Sequence, residues 1–432
     1  MTLIYNVAIN GERDGYVAIR GERIDAVGYG APGSDLLSAA DETVDGQGQI
    51  LLPGAIDCHV HFRDPGLTHK ADMDTESRAA LAGGVTSVVD MPNTVPQTVS
   101  AETLREKEAI AVSRCHVNYA FFIGATDSNI SELTDADYTR VAGVKLFIGS
   151  STGNMLVDDD KALELLFSRI KAPICVHAED EGVIRRCREQ FRAVYDGRPI
   201  PVAAHSHIRP AEACVRATAR AIALAEKYGT RLHIAHVTTA AEVEMIARAK
   251  ARGKAGITCE VSPHHLLLCD EDYPRLGTLM KMNPAVKSAS DRQALRHALA
   301  EGIIDMVATD HAPHLLSEKK GDALTAVSGA PIVQWAYPLL MDMFGESDAA
   351  RFYARNPASV FGIAGRGAIA PGYFADLVLA SRTPYTVHDC DVVSKCGWTY
   401  LDGTTLGHSI SRVWLNGREN GHPRHLTFGT GH

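Results

Sequence analysis

Two histidines flank a single valine in "DCHVHFRDPG", at His59 and His61, and Arg63 follows two residues later. On a β-strand, residues i and i+2 point to the same side, so both imidazoles can converge on one ion. Neutral imidazoles suit Zn²⁺ and similar divalent ions. Further candidates end other apolar runs: His177 in "APICVHAED", His236 in "RLHIAHVT", His264 and His265 in "AGITCEVSPHH", and Asp310 in "IDMVATDHAP". One such histidine alone reads as a satisfied core residue, because a buried imidazole without a partner is costly. Histidines on four separate runs, with an aspartate on a further one, point to a common target, and a metal fits best. Asp310 completes a first site with His59 and His61, and His177 and His236 can hold a second ion nearby. Two ions need a bridge, commonly a hydroxide plus an anionic side chain. Lys145 in "VAGVKLFIG" is placed for that role but carries the wrong charge as written. Addition of CO₂ to its amine gives a carbamate with two oxygens and a negative charge. The ordinary alternative is a lysine paired with a carboxylate; the surrounding ligands favour the carbamate.

The elements that must position these groups have a clear rhythm. Eight apolar, β-branched runs recur: "ILLPGAIDCHV", "GVTSVVDMPN", "NYAFFIGAT", "VAGVKLFIG", "APICVHAED", "RLHIAHVT", "AGITCEVSPHH" and "IDMVATDHAP". Between most of them lie helix-like stretches such as "DTESRAALAGG" and "RPAEACVRATARAIALAEKYG", the latter closed by a glycine. Buried strands alternating with helices predict an α/β fold, a (β/α)8 TIM-type barrel whose active site gathers at the C-terminal strand ends. Both chain ends read differently, as short strands punctuated by Gly and Pro. We therefore expect a small β-sandwich domain from residues 1–52 and 367–432 beside a barrel spanning 53–366.

Composition limits the classes of function. The 432 residues are 45% hydrophobic and 22% charged, which is ordinary for a globular protein. A net charge of -9 argues against nucleic acid as a partner while allowing a local basic pocket for a small anion. No run of about 18 apolar residues predicts a membrane span, and the start lacks the pattern of a secretory signal. Nine scattered cysteines without a CxxC read as reduced thiols in a cytoplasm.

"DCHVHFRDPG" and "ATDHAPHLLSEKK" resemble the two signature segments of dihydroorotases in the amidohydrolase superfamily. "DMPNTVPQT", "VKLFIGSSTGNML", "VHAEDEGV", "HIAHVTTAAEV" and "EVSPHHLLL" resemble further segments in family order, as does "NPASVFGIAGRGAIAPGYFADLVL" near the C-terminus. The resemblance implies reversible cyclisation of N-carbamoyl-L-aspartate to (S)-dihydroorotate, a step of pyrimidine synthesis, through a metal-bridging hydroxide. It assigns His59, His61 and Asp310 to one divalent ion, zinc by donor type, and His177 and His236 to the other, with carboxylated Lys145 between them. Asp310 is then the catalytic base, taking a proton from the attacking hydroxide and returning it to the leaving nitrogen. The substrate carboxylate needs a planar cationic receiver, and Arg63 is the natural one. Asn93 and His314 match the other substrate contacts; Asn283 and Ala330 match segments that touch the ring. His264 and His265 are either supports for the ligands or merely structural. Glu179 and Asp180 read as ordinary hydrogen-bonding neighbours, and "HLLSEKKGD" as a polar loop beside the site.

Two rival readings share these residues. "GVKLFIG" also resembles hydantoinases, so an allantoinase or hydantoinase activity is the nearest alternative, although "DMPNTVP" and "DHAPH" lean towards dihydroorotase. The other is an inactive scaffold for a pyrimidine enzyme, which should have lost ligands that this chain retains. The implied partners are a small anionic substrate and a second copy of the chain, in a dimer or tetramer.

Overall fold

The computed structural model describes residues 1–9, 11–148, 157 and 159–429. All eight runs form parallel strands of one sheet: β1 (Ala55–Val60), β2 (Val85–Asp90), β3 (Asn118–Gly124), β4 (Val141–Ile148), β5 (Ile174–Ala178), β6 (Leu232–Ile234), β7 (Ile257–Val261) and β8 (Met306–Val307). Each strand hydrogen-bonds to its sequence neighbours in the order β1 to β8. A parallel bridge between Val60 and His311, with the His61 amide 2.8 Å from the His311 carbonyl, brings the two ends together. The result is a TIM-type barrel.

Alternation along the strands divides the core in two. Phe122 of β3, Cys175 of β5, Ala235 after β6 and Met306 of β8 share one buried cluster, while Phe121, Val176, Ile234 and Val307 belong to another that includes the surrounding helices. The first cluster is the barrel interior, and Phe361, Ile363, Leu426 and Phe428 complete it from the C-terminal part of the chain. The helices form where polar caps meet apolar periodicity. Met73–Ala82 starts at Asp72, whose side chain accepts from the Thr75 amide, and Ala211–Tyr228 ends at Gly229 with φ +68°. Among the described residues, no helix is long and apolar enough to cross a membrane.

Strands from both chain ends build a second, seven-stranded sheet. Thr2–Ile9 pairs with Glu12–Arg20, with Glu42–Asp45 and with Ile50–Pro53; Leu377–Ser381 joins Ile50–Pro53 to Ser409–Trp414. It is a single sheet branching at its first strand, around a core that includes Ile4, Val17, Leu51, Leu377 and Trp414. The first predicted run is therefore shared: Ile50–Pro53 belongs to this sheet and Ala55–Val60 to the barrel. The C-terminal part also returns to the barrel. Trp398 and Tyr400 pack with Tyr273 and Trp335, and the Trp398 indole donates to the His314 carbonyl at 2.8 Å.

Candidate active site

One cavity of about 1090 Å³ is lined by every site residue expected from the sequence except Ala330. Ala330 is fully buried in the cluster with Trp335 and Trp398. Ser328 and Gly329 form the cavity wall in its place. A Cβ on Gly329, which has φ +129°, would lie 2.8 Å from the Ala312 carbonyl oxygen and 3.0 Å from His314, so glycine lets this wall close on His314. Of the segment "VKLFIGSSTGNML", residues 149–156 lie outside the described residues.

The first half of the site forms where β1 meets the end of β8. His61 Nε2 lies 3.0 Å and His59 Nε2 3.4 Å from Asp310 Oδ1. One ligand atom from each of the three residues falls within 4.8 Å of the others. Tetrahedral zinc with Zn–N of 2.0–2.1 Å places its ligands roughly 3.3 Å apart, so these atoms fit one ion. The distal nitrogens are held as well: His59 Nδ1 by Glu260, and His61 Nδ1 by Asn93 Oδ1 at 2.8 Å. Strand β1 ends at Val60, so strand geometry alone does not bring His61 beside His59. The pairing of His61 with the backbone of His311 supplies the rest.

The second half comes from β5 and the residues after β6. His177 Nδ1 lies 3.0 Å from His236 Nε2, again a spacing that suits two ligands of one ion. His177 Nε2 is 3.0 Å from Glu179, whose carboxylate is gripped by Arg209 through Nε at 3.0 Å and Nη2 at 2.5 Å. Asp180 caps the next helix by accepting from the Val183 amide. His59 and His236 bring the halves together, with ring centroids 5.3 Å apart. Lys145 sits at this junction, 1% exposed, with Nζ 3.8 Å from the Cys175 sulfur. Among the described residues no carboxylate is within ion-pair distance of it.

Burial holds these imidazoles in the neutral form that metal ligation requires. It lowers His61 to about 4 and lowers His177 and His236 as well. For Asp310, burial works to raise the carboxyl, but the imidazoles of His59 and His61 outweigh it and hold it well below the usual range. The backbone carries strain at the same places: Arg63, His236 and Asp310 have φ of +64°, +36° and +51°.

The far wall is cationic. Arg63 is 7% exposed, with Nη2 3.0 Å from His314 Nε2 and Nε donating to the Pro313 carbonyl. Lys70 approaches His314 from the other side at 3.1 Å and pairs with Glu318. Burial, then Arg63 and Lys70, hold His314 far below the normal histidine range. Gly66, of the Pro-Gly turn after Arg63, has φ +81°, and a Cβ there would collide with the Val95 carbonyl oxygen at 1.8 Å, so this turn lies flat against the loop bearing Asn93. Asn283 Oδ1 is 3.1 Å from His205 Nε2. The loop "HLLSEKKGD" is pinned from within, because the Lys319 ammonium is buried against the carbonyls of Lys281, Val327 and Gly329 at 2.8–3.0 Å.

Sequence reasoning missed three supporting residues, Glu260, its second partner His233, and Arg209, while Glu179 is the hydrogen-bonding neighbour expected. Only "TCEV", an acid inside an apolar run, signalled one of them. His264 and His265 do not line the cavity. His265 bonds to Ser262 Oγ at 2.8 Å and the Pro284 carbonyl at 3.0 Å; His264 bonds to the Tyr400 hydroxyl at 2.8 Å.

A model of the amidohydrolase family matches residues 50–419. The chain belongs to that family. A dihydroorotase of Halobacterium salinarum is 39% identical over 90% of this chain and 89% of its own length. An allantoinase of Bacillus velezensis is 32% identical over 96% and 92%. Among solved structures, an L-hydantoinase from Arthrobacter aurescens superposes with a TM-score of 0.92 at 26% identity, covering 99% of both chains. These relatives are cyclic amide hydrolases, and so is this amidohydrolase.

Proposed function

We propose that this amidohydrolase is a dihydroorotase, interconverting N-carbamoyl-L-aspartate and (S)-dihydroorotate. The observation that carries the reading is Arg63. Its guanidinium is buried on the cavity wall, and among the described residues no carboxylate lies within ion-pair distance. The adjacent acid, Asp64, is engaged elsewhere, with Arg114 at 3.1 Å and the Met73 amide at 3.4 Å. A buried cation is costly without an anionic partner, and the carboxylate of dihydroorotate supplies one. Allantoin and simple hydantoins carry no carboxylate and leave this cation unanswered.

His59, His61 and Asp310 would hold one divalent ion, and His177 and His236 a second, with carboxylated Lys145 between them. Such ions, zinc by donor type, lower the pKa of bound water and polarise a carbonyl. The chain's own groups do the rest. Asp310, kept ionised by its imidazole neighbours, accepts the proton of the attacking water and returns it to the departing ring nitrogen. Arg63, His314 and Asn93 orient the carboxylate end, and Asn283 the ring. The nine free cysteines support a cytoplasmic location.

Replacing Arg63 by methionine tests the reading. Removing one partner of a buried charge pair costs on the order of 2–5 kcal/mol, at 1.36 kcal/mol per tenfold in rate. Arg63→Met should therefore lower kcat/KM for dihydroorotate by roughly 30-fold or more with metal content unchanged. It should affect dihydrouracil, the same ring without the carboxylate, far less. Equal losses on both rings would remove the carboxylate-receiver role.

A further inference from the structure

A buried carboxylate directly behind His59 takes no part in the chemistry above. Glu260, the penultimate residue of β7, is 1% exposed and does not line the cavity. The other buried acids near the barrel mouth have evident partners: Glu179 has Arg209, Asp90 has Lys107, and Asp57 has Thr309 and Tyr353. Glu260 faces imidazoles alone. Its Oε1 contacts His59 Nδ1, and its Oε2 lies 3.0 Å from His233 Nε2. His233 is itself fixed, with Nδ1 2.9 Å from Thr258 Oγ1 and its ring 5.0 Å from that of Phe361. Among the described residues no lysine or arginine pairs with Glu260.

A neutral imidazole carries one proton and offers one lone pair, and an ionised carboxylate only accepts. Each Glu260 oxygen meets an imidazole nitrogen, and among the described residues no other donor reaches either of them. Glu260 therefore requires the proton of His59 on Nδ1. The lone pair is then on Nε2, the nitrogen that faces Asp310. Without that acceptor the two tautomers compete and the ring can turn about its χ2 bond.

We propose that Glu260 is a positioning residue for the metal centre. It sets the tautomer and orientation of His59 and places a negative charge behind that ligand, and His233 is the strut that keeps Glu260 in place. This inference rests on the metal-dependent reading above and extends it to a residue outside the cavity. Partners of this kind typically change metal affinity by about 10–100-fold when removed.

The test has two parts. Competition with a chromophoric chelator should show Zn²⁺ binding to Glu260→Gln about 10–100-fold weaker than to the wild type, with the denaturation curve of the metal-free protein nearly unchanged. Gln is isosteric and still offers His59 an oxygen, so the variant removes the charge while sparing the shape. Wild-type binding of Zn²⁺ with unchanged affinity in Glu260→Gln would overturn the positioning role and leave the metal reading intact. The second part needs no variant. In chelator-stripped wild-type protein, ¹⁵N chemical shifts should show the His59 proton on Nδ1, and a proton on Nε2 would overturn the proposal. A wild-type protein that binds no Zn²⁺ would instead sink the metal reading, and the proposal with it.

Discussion

Lys145 fits its surroundings least well as an ordinary ammonium. It is buried between the thiol of Cys175 and the ring of Phe147, with Nζ 5.2 Å from that ring's centre. Burial pushes the Cys175 thiol up to about 12, so the sulfur offers no counter-charge. A carbamate on Lys145 would turn a cation without an ion-pair partner among the described residues into the anion that two dications would require. Lys145→Ala should accordingly lose metal and activity together, and added acetate or propionate should restore part of both. Full metal content with normal turnover in that variant would refute the bridge. The candidate metal ligands were legible in the sequence because only a few side chains can do this chemistry and they recur at strand ends. Their supports were not. Glu260, His233 and Arg209 look like any polar residue near an apolar run, and only spatial proximity to His59 and His177 gives them meaning. That Ala330 does not line the cavity was not legible for the converse reason: a short apolar side chain carries no chemical signal of which way it faces.

At the scale of elements, all eight strands and the helix Ala211–Tyr228 were visible in the hydrophobic period. The turns that follow the strands were not, because nothing about an arginine, histidine or aspartate announces the positive φ of Arg63, His236 and Asp310. The short helix Pro263–Leu267 shows what such a turn can cost. It buries His264 and His265, and burial lowers them to about 3 and about 4. Their unfolded value is near 6.5. From pH 6.5 downward the unfolded chain binds protons that the folded one refuses, so stability falls as the pH drops through that window and is unaffected above it. Each such histidine contributes a slope of roughly 1 kcal/mol per pH unit. Urea denaturation at pH 7 and pH 5 should show a smaller loss for His264→Gln than for the wild type. Equal losses would mean that His264 takes up a proton within the fold.

For the whole molecule, the pairing of both chain ends in one small β domain was predictable from their shared strand-and-turn texture. The way the C-terminal part serves the barrel was not. Lys395 reaches Asp72 at 2.9 Å, Trp398 holds the His314 carbonyl and Tyr400 meets His264. These contacts join residues more than eighty positions apart through a stretch with no regular period. Further on, the Leu426 amide bonds to the Tyr119 carbonyl at 2.8 Å and its side chain enters the barrel interior. Leu426→Ala should cost about 2–5 kcal/mol of stability, read from the denaturation midpoint, without altering Zn²⁺ binding. A loss below the measurement error would show that this end of the barrel closes without Leu426. The most direct test of the whole account is the kcat/KM of the purified protein on dihydroorotate, allantoin and hydantoin, before and after chelation. We expect hydrolysis of dihydroorotate to exceed that of the other two by orders of magnitude, to vanish with the chelator and to return with Zn²⁺. Preference for allantoin or hydantoin, or turnover of dihydroorotate that survives complete metal removal, would contradict it.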